Sequence, residues 1–200
     1  MDITFFIEGL IIGFSIAAPV GPIGLLCMQR TLTEGRTSGF VTGLGAATAD
    51  ALYGCIAGFG LTVVSTFLVS QNVWFRLLGS VFLCFLGVRT FLSVPADKVA
   101  SVRGRGLFKN YVSTFILTLT NPVTIISFAA IFAGLGAHKD YTSAGLLVSG
   151  VFAGSALWWF ILSSIVTLFR SQIDSAKLRW INRGSGIILI GAGFIIVMSI

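Results

Sequence analysis

Apolar residues run nearly unbroken through 4–28, 38–69, 73–94, 107–136, 142–168 and 184–200. A helix needs ~20 such residues to cross a hydrocarbon core, whereas a strand of a membrane barrel needs only ~10. Inside lipid every backbone polar group must be satisfied by the structure itself, which leaves helices and closed barrels as the spanning elements. Stretches of this length predict an all-α polytopic membrane protein with six transmembrane helices. The first stretch is the one that could re-enter rather than cross. Only 10% of the 200 residues are charged and 56% are hydrophobic, against about 25% charged in a soluble domain. The 24 glycines suit close helix packing in lipid. Met1-Asp2 followed by Glu8, with no basic n-region, does not read as a cleaved signal peptide.

The basic residues fall mostly on one side. The first, third and fifth connections hold Arg30, Arg36, Arg89, Lys98, Arg103, Arg105, Lys109, Arg170, Lys177, Arg179 and Arg183; the second and fourth hold Arg76 and Lys139. Basic loops stay in the cytoplasm, so a multi-pass protein of the cell (inner) membrane is predicted, with both termini extracytoplasmic. Bases that alternate with membrane crossings form no folded basic face, which speaks against a nucleic-acid partner.

The two halves echo each other. "GPIGLL" at 21–26 answers "NPVTII" at 121–126, and "GLGAATADALY" at 43–53 answers "VSGVFAGSALW" at 148–158. Three spans per half would set the second half upside down. The expectation is two inverted three-helix repeats, 1–106 and 107–200, in one membrane domain, with helices 1 and 4 broken at proline. Inverted repeats are common among secondary transporters, whose sites lie near mid-membrane between the repeats. Proline inside a helix removes a hydrogen bond and clashes with the preceding turn, yet it is tolerated at the first helical position. Asn121 before Pro122 makes a good N-cap, and Gly21 before Pro22 can play the same part. Each break then starts a half-helix that presents free N–H groups and about half a positive charge. Two such ends near mid-membrane would cradle a carboxylate.

Asp50 is the most informative side chain. It lies about twelve residues into the second stretch, roughly 18 Å deep at 1.5 Å per residue, where an aspartate costs about 2.5–3.5 kcal/mol to insert. Gly43, Ala47, Asp50, Gly54 and Gly58 share one helical stripe, a close-packing face with a single charge. Asp50 reads as a partner for a substrate amine or as a proton carrier. Tyr53 lies one turn on, within reach of a shared hydrogen-bond network. Asn121 and Ser127 are the best candidates of the polar fourth stretch, and Ser155, Trp158 and Trp159 form the counterpart of the Asp50 region, where a tryptophan could close an apolar pocket. The candidate binding residues are therefore Pro19, Gly21, Pro22, Asp50, Tyr53, Asn121, Pro122, Ser127, Ser155 and Trp158, with Asp50 also coupling protons.

No resident cofactor or metal is expected. His138 is the single histidine, in an external loop beside Lys139 and Asp140, and one buried carboxylate makes a poor metal set. No Walker glycine loop and no nucleophile–base triad can be assembled, so enzyme activity is not expected. Cys27, Cys55 and Cys84 all lie in apolar stretches of the first half and read as packing residues. A membrane thiol-electron carrier, which needs paired cysteines, is therefore the weaker alternative, and a metal-ion exporter the other. Gly150 and Gly154 could serve a homodimer as well as internal packing.

"APVGPIGLLCMQRTLTEGRTSGFVTGLGAATADALYG" resembles the first half of the LysE-family (LysE/RhtB-type) amino-acid exporters, and "LTNPVTIISF" resembles that family's second-half Asn-Pro element. The resemblance extends over nearly the whole chain. It implies export of an amino acid or related small solute from the cytoplasm, driven by the proton motive force, with Pro19, Gly21, Pro22, Asp50, Asn121 and Pro122 in the motif positions. The first element reads P-V-G-P where P-G-P is commoner. Members similar to exporters of basic amino acids place an acid a few residues after Asn-Pro, where this chain has Ser127. A second cationic group on the solute would lack a partner, so a neutral amino acid is expected.

Overall fold

In a computed structural model the described residues are 3–19, 21–58, 71–92, 106–121, 123–128, 141–169 and 175–198, and every regular element among them is a helix. These are α1 (Thr4–Ala17), α2 (Pro22–Glu34), α3 (Arg36–Gly58), α4 (Asn72–Phe91), α5 (Leu107–Leu119), α6 (Tyr141–Phe169) and α7 (Ser175–Met198), with a further helical stretch at 123–128.

Glycine and proline punctuate the chain as their backbone chemistry requires. α1 stops at Ala17, just ahead of Pro19. Gly21 is extended (φ −104°, ψ −163°), and Pro22 opens α2 at its first position. Between α2 and α3 stands only Gly35, at φ 106°, a left-handed conformation that glycine adopts without a Cβ clash.

The six-helix expectation is corrected here. Among the described residues, two helices are long and apolar enough to cross a membrane, Ser143–Phe169 and Ala176–Met198. A third crossing is reached when α1 and α2, bent by 81° at their break, are taken as one broken span. The scheme of two inverted three-helix repeats goes with it. The reasons are local. α1, α2 and α5 have 14, 13 and 13 residues, or about 20 Å each at 1.5 Å per residue, short of a ~30 Å core. α3 is diluted by glycine, threonine, serine and alanine, and α4 carries Arg76 and Arg89 within its length. Counting an apolar stretch as a crossing misjudged residues whose mild polarity is used inside the bundle. Arg30 shows the same error: it is no loop base but sits in α2, 6% exposed.

Packing interleaves the two halves. α1 and α3 pack on α6, α3 also on α5, and α4 on α7. The α1–α6 contact is a glycine seam: a Cβ on Gly13 would strike the Val151 carbonyl, and one on Gly154 the Leu10 carbonyl. Gly150 and Gly154 are thus covered by α1 of the same chain, so they offer no free face to a second copy. The stripe through Asp50 faces α6, with Gly43 set against the Trp159 ring and Gly54 against Val148 and Val151. Outward, α4 shows Trp74, Leu78, Val81 and Phe85, and α7 shows Ile187, Ile188 and Phe194. Exposed apolar surface of that extent is suited to lipid.

Candidate functional site

A helix starts after each break. Gly21 and Pro22 hold the N-cap and first positions of α2. At the second break the Asn121 side-chain carbonyl accepts the Val123 N–H at 3.1 Å, while its backbone carbonyl accepts the Ile125 N–H at 3.1 Å. That is N-cap geometry. Pro122 lies outside the described residues. The first N–H groups of a helix have no partner within it, so each break offers donors to whatever lies in front.

In front of both lies one cavity of about 710 Å³, within the roughly 300–1,000 Å³ of small-molecule sites. Pro19, Gly21, Pro22, Ile23 and Gly24 line it from the first break, and Asn121, Val123, Thr124 and Ser127 from the second. Asp50 and Trp159 form part of its wall, with apolar surface added by Leu83, Leu117 and Ile196. Asp50 is the single charged side chain among the described lining residues.

A short relay holds Asp50. The Ser155 hydroxyl donates to Asp50 Oδ2 at 2.7 Å, and Trp159 Nε1 donates to Ser155 Oγ at 3.2 Å. Asp50 is 3% exposed and Ser155 0%. The hydroxyl, itself held by the indole, thus occupies one carboxylate oxygen and ties Asp50 of α3 to α6.

Of the sequence candidates, Pro19, Gly21, Pro22, Asp50, Asn121 and Ser127 line the cavity, and Ser155 reaches it through Asp50. Tyr53 and Trp158 are not brought there. The Tyr53 hydroxyl donates to the Leu119 carbonyl at 2.5 Å, its ring stacked on Phe128, so it ties α3 to the end of α5 instead of bonding Asp50. Trp158 packs edge-on against Phe14 of α1, ring centroids 5.4 Å apart. The tryptophan at the cavity is Trp159. Its spacing of four from Ser155 puts the two on one helix face, a signal available in the sequence. Thr118, from the polar side of the fourth stretch, also lines the cavity, as do the α7 residues Ala192 and Ile196, which nothing local marked.

Among the described residues no group of three His, Cys, Asp or Glu side chains gathers to hold a metal ion. All three cysteines are free thiols, and the Cys27 thiol donates to the Gly39 carbonyl.

A multi-pass helical membrane protein with a cavity at two interrupted helices belongs among the membrane transporters. The model of the LysE type translocator family matches residues 14–199, and the chain belongs to that family. It is 31% identical over 199 residues to the "Putative amino acid efflux protein YcgF" of Bacillus subtilis (strain 168), covering 96% of this chain and 94% of that one. It is 22% identical over 178 residues to the "Arginine exporter protein ArgO" of Klebsiella pneumoniae (strain 342), covering 87% and 83%. The "Uncharacterized membrane protein YahN" of Escherichia coli (strain K12) is 27% identical over 145 residues, covering 70% and 65%. No solved structure matches the chain. A translocator moves its solute chemically unchanged, so this is a transporter and not an enzyme.

Proposed function

We propose that this protein is a secondary transporter that exports an amino acid from the cytoplasm, driven by the proton motive force, and that the amino acid is neutral. The observation that carries this reading is the convergence of two helix N-termini and one buried carboxylate on a single cavity. The N-termini suit an α-carboxylate, since free N–H groups and the helix dipole both favour an anion. Asp50 suits the α-ammonium. Protonation of Asp50 from outside then releases the amino acid, and its deprotonation toward the cytoplasm resets the site. One proton moving inward through 100 mV supplies about 2.3 kcal/mol before any pH gradient. The two relatives named for amino acid efflux and arginine export agree with the solute class. The choice of a neutral solute rests on Asp50 being the one charged residue among the described lining and on Ser127 standing where a second acid would serve a cationic side chain.

By the bias of basic residues, the end of the bundle with Arg36 and Lys109 faces the cytoplasm. Both residues are exposed there.

The test is transport in proteoliposomes with an imposed proton gradient and a panel of amino acids that includes arginine. Gradient-driven movement of a neutral amino acid is expected, lowered about tenfold or more in Asp50→Asn, which amounts to at least ~1.4 kcal/mol of barrier. Wild-type transport rates in Asp50→Asn would remove Asp50 from the mechanism. Arginine moving in preference to every neutral amino acid would overturn the solute assignment.

A further inference from the structure

A polar column leads from the cavity to the end of the bundle where α2, α3 and α5 meet. Thr118 lines the cavity, and its hydroxyl donates to the Thr114 carbonyl at 2.9 Å. Beyond it Arg30 Nη1 donates to Thr114 Oγ1 (3.1 Å), the Asn110 carbonyl (3.0 Å) and Thr42 Oγ1 (3.2 Å), and Nη2 to Ser113 Oγ (2.8 Å). Asn110 Nδ2 then donates to Ser38 Oγ and to Glu34 Oε2, both at 2.6 Å, and the Ser38 hydroxyl donates to Glu34 Oε2. Arg30, Asn110, Ser38, Thr42, Thr114 and Thr118 are buried, whereas Glu34 is exposed. From Asn110 to Thr118 the column spans about 12 Å of helix at 1.5 Å per residue.

Its partners are unusual for a static junction. Arg30 and Glu34 lie one turn apart on α2, the spacing at which opposite charges pair. No direct ion pair joins them; Asn110 stands between, accepting from the one and donating to the other. The hydrogen bonds of this buried guanidinium thus all go to neutral oxygens, and Glu34 acts on it only through space. A guanidinium and a carboxylate form a bidentate pair, charged on both sides, that hydroxyls cannot reproduce, so an arriving carboxylate would displace the hydroxyls on Arg30. A junction serving only as packing would be met more cheaply by apolar side chains.

We propose that this column is the cytoplasmic access route of the solute, closed in this structure, and that Arg30 receives the solute carboxylate on its way to the cavity. The proposal rests on the exporter reading and on the orientation given above.

The experiment labels a single cysteine, Thr118→Cys, in protein whose Cys27, Cys55 and Cys84 are replaced by alanine. Inside-out vesicles receive one of two membrane-impermeant methanethiosulfonates, one bearing a sulfonate and the other a trimethylammonium group. With Arg30 present the sulfonate reagent should label at least about fivefold faster, because a buried cation focuses its field on an incoming anion. Arg30→Gln should bring the two rates to parity, Arg30→Lys should keep the anion preference, and Asn110→Ala should speed both reagents by loosening the column. Equal rates with Arg30 in place would overturn the role of Arg30. Absence of labelling from this face in every variant, Asn110→Ala included, would reduce the column to packing. If Arg30→Gln does not fold, Arg30→Lys and Asn110→Ala still decide. Labelling needs no amino acid, so protein that labels as expected yet transports none in proteoliposomes would sink the exporter reading and leave the route standing.

Discussion

The carboxylate of Asp50 is held by a hydroxyl that is itself held by an indole. Removing a partner from a buried polar group costs about 1–3 kcal/mol. Ser155→Ala should therefore lower the stability of the detergent-solubilised protein by that amount in denaturant unfolding. Trp159→Phe removes only the outer hydrogen bond of the relay and should lose about 1 kcal/mol. Equal losses in the two variants would mean that the relay is not anchored on Asp50. Tyr53 has a separate part: its hydroxyl meets the last carbonyl of α5. Tyr53→Phe should thus cost about 1 kcal/mol of stability while leaving the solute KM unchanged, and a rise in KM would return Tyr53 to the binding site.

The interrupted helices depend on their caps and on how closely their neighbours approach. Asn121→Ala removes an N-cap acceptor and should destabilise by about 1 kcal/mol, whereas Asn121→Asp keeps the acceptor and most of the stability. A thermal melt of both variants checks the order. The α1–α6 seam is less forgiving. A Cβ at Gly154 has no room beside the Leu10 carbonyl, and overpacking of a tight contact costs about 1–3 kcal/mol. Gly154→Ala should lower the melting temperature far more than alanine at Gly145, where a Cβ meets nothing.

For the molecule in its membrane, the exposed Arg36 and Lys109 are expected in the cytoplasm. An impermeant thiol reagent should label Arg36→Cys in inside-out vesicles but not in intact cells, using the protein freed of its native cysteines. The reverse pattern would turn the molecule over and place the Arg30 column on the outer side. How many segments cross is a property of this level too. Among the described residues, proline breaks and mild polarity leave two helices, or three crossings with the bent α1–α2 pair taken as one, that meet the length and apolarity of a crossing. A sum of apolar residues along the chain had suggested six.

Local chemistry by itself determined the helix breaks, their capping residues and the Asp50 stripe. Proline without an N–H, an asparagine acceptor and a period of 3.6 act within a few residues and can be read in order. The resemblance to LysE-type exporters was legible for the same reason, being carried by contiguous motifs. Only the tertiary structure decided that both breaks and Asp50 face one cavity, that Trp159 is turned inward and Trp158 outward to Phe14, and that Arg30 is buried instead of lying in a loop. Those outcomes depend on contacts between residues far apart in the chain, such as Arg30 with Thr114, Asp50 with Ser155 and Phe14 with Trp158. A side chain's environment is set by the helix packed against it, and no local pattern states which helix that will be.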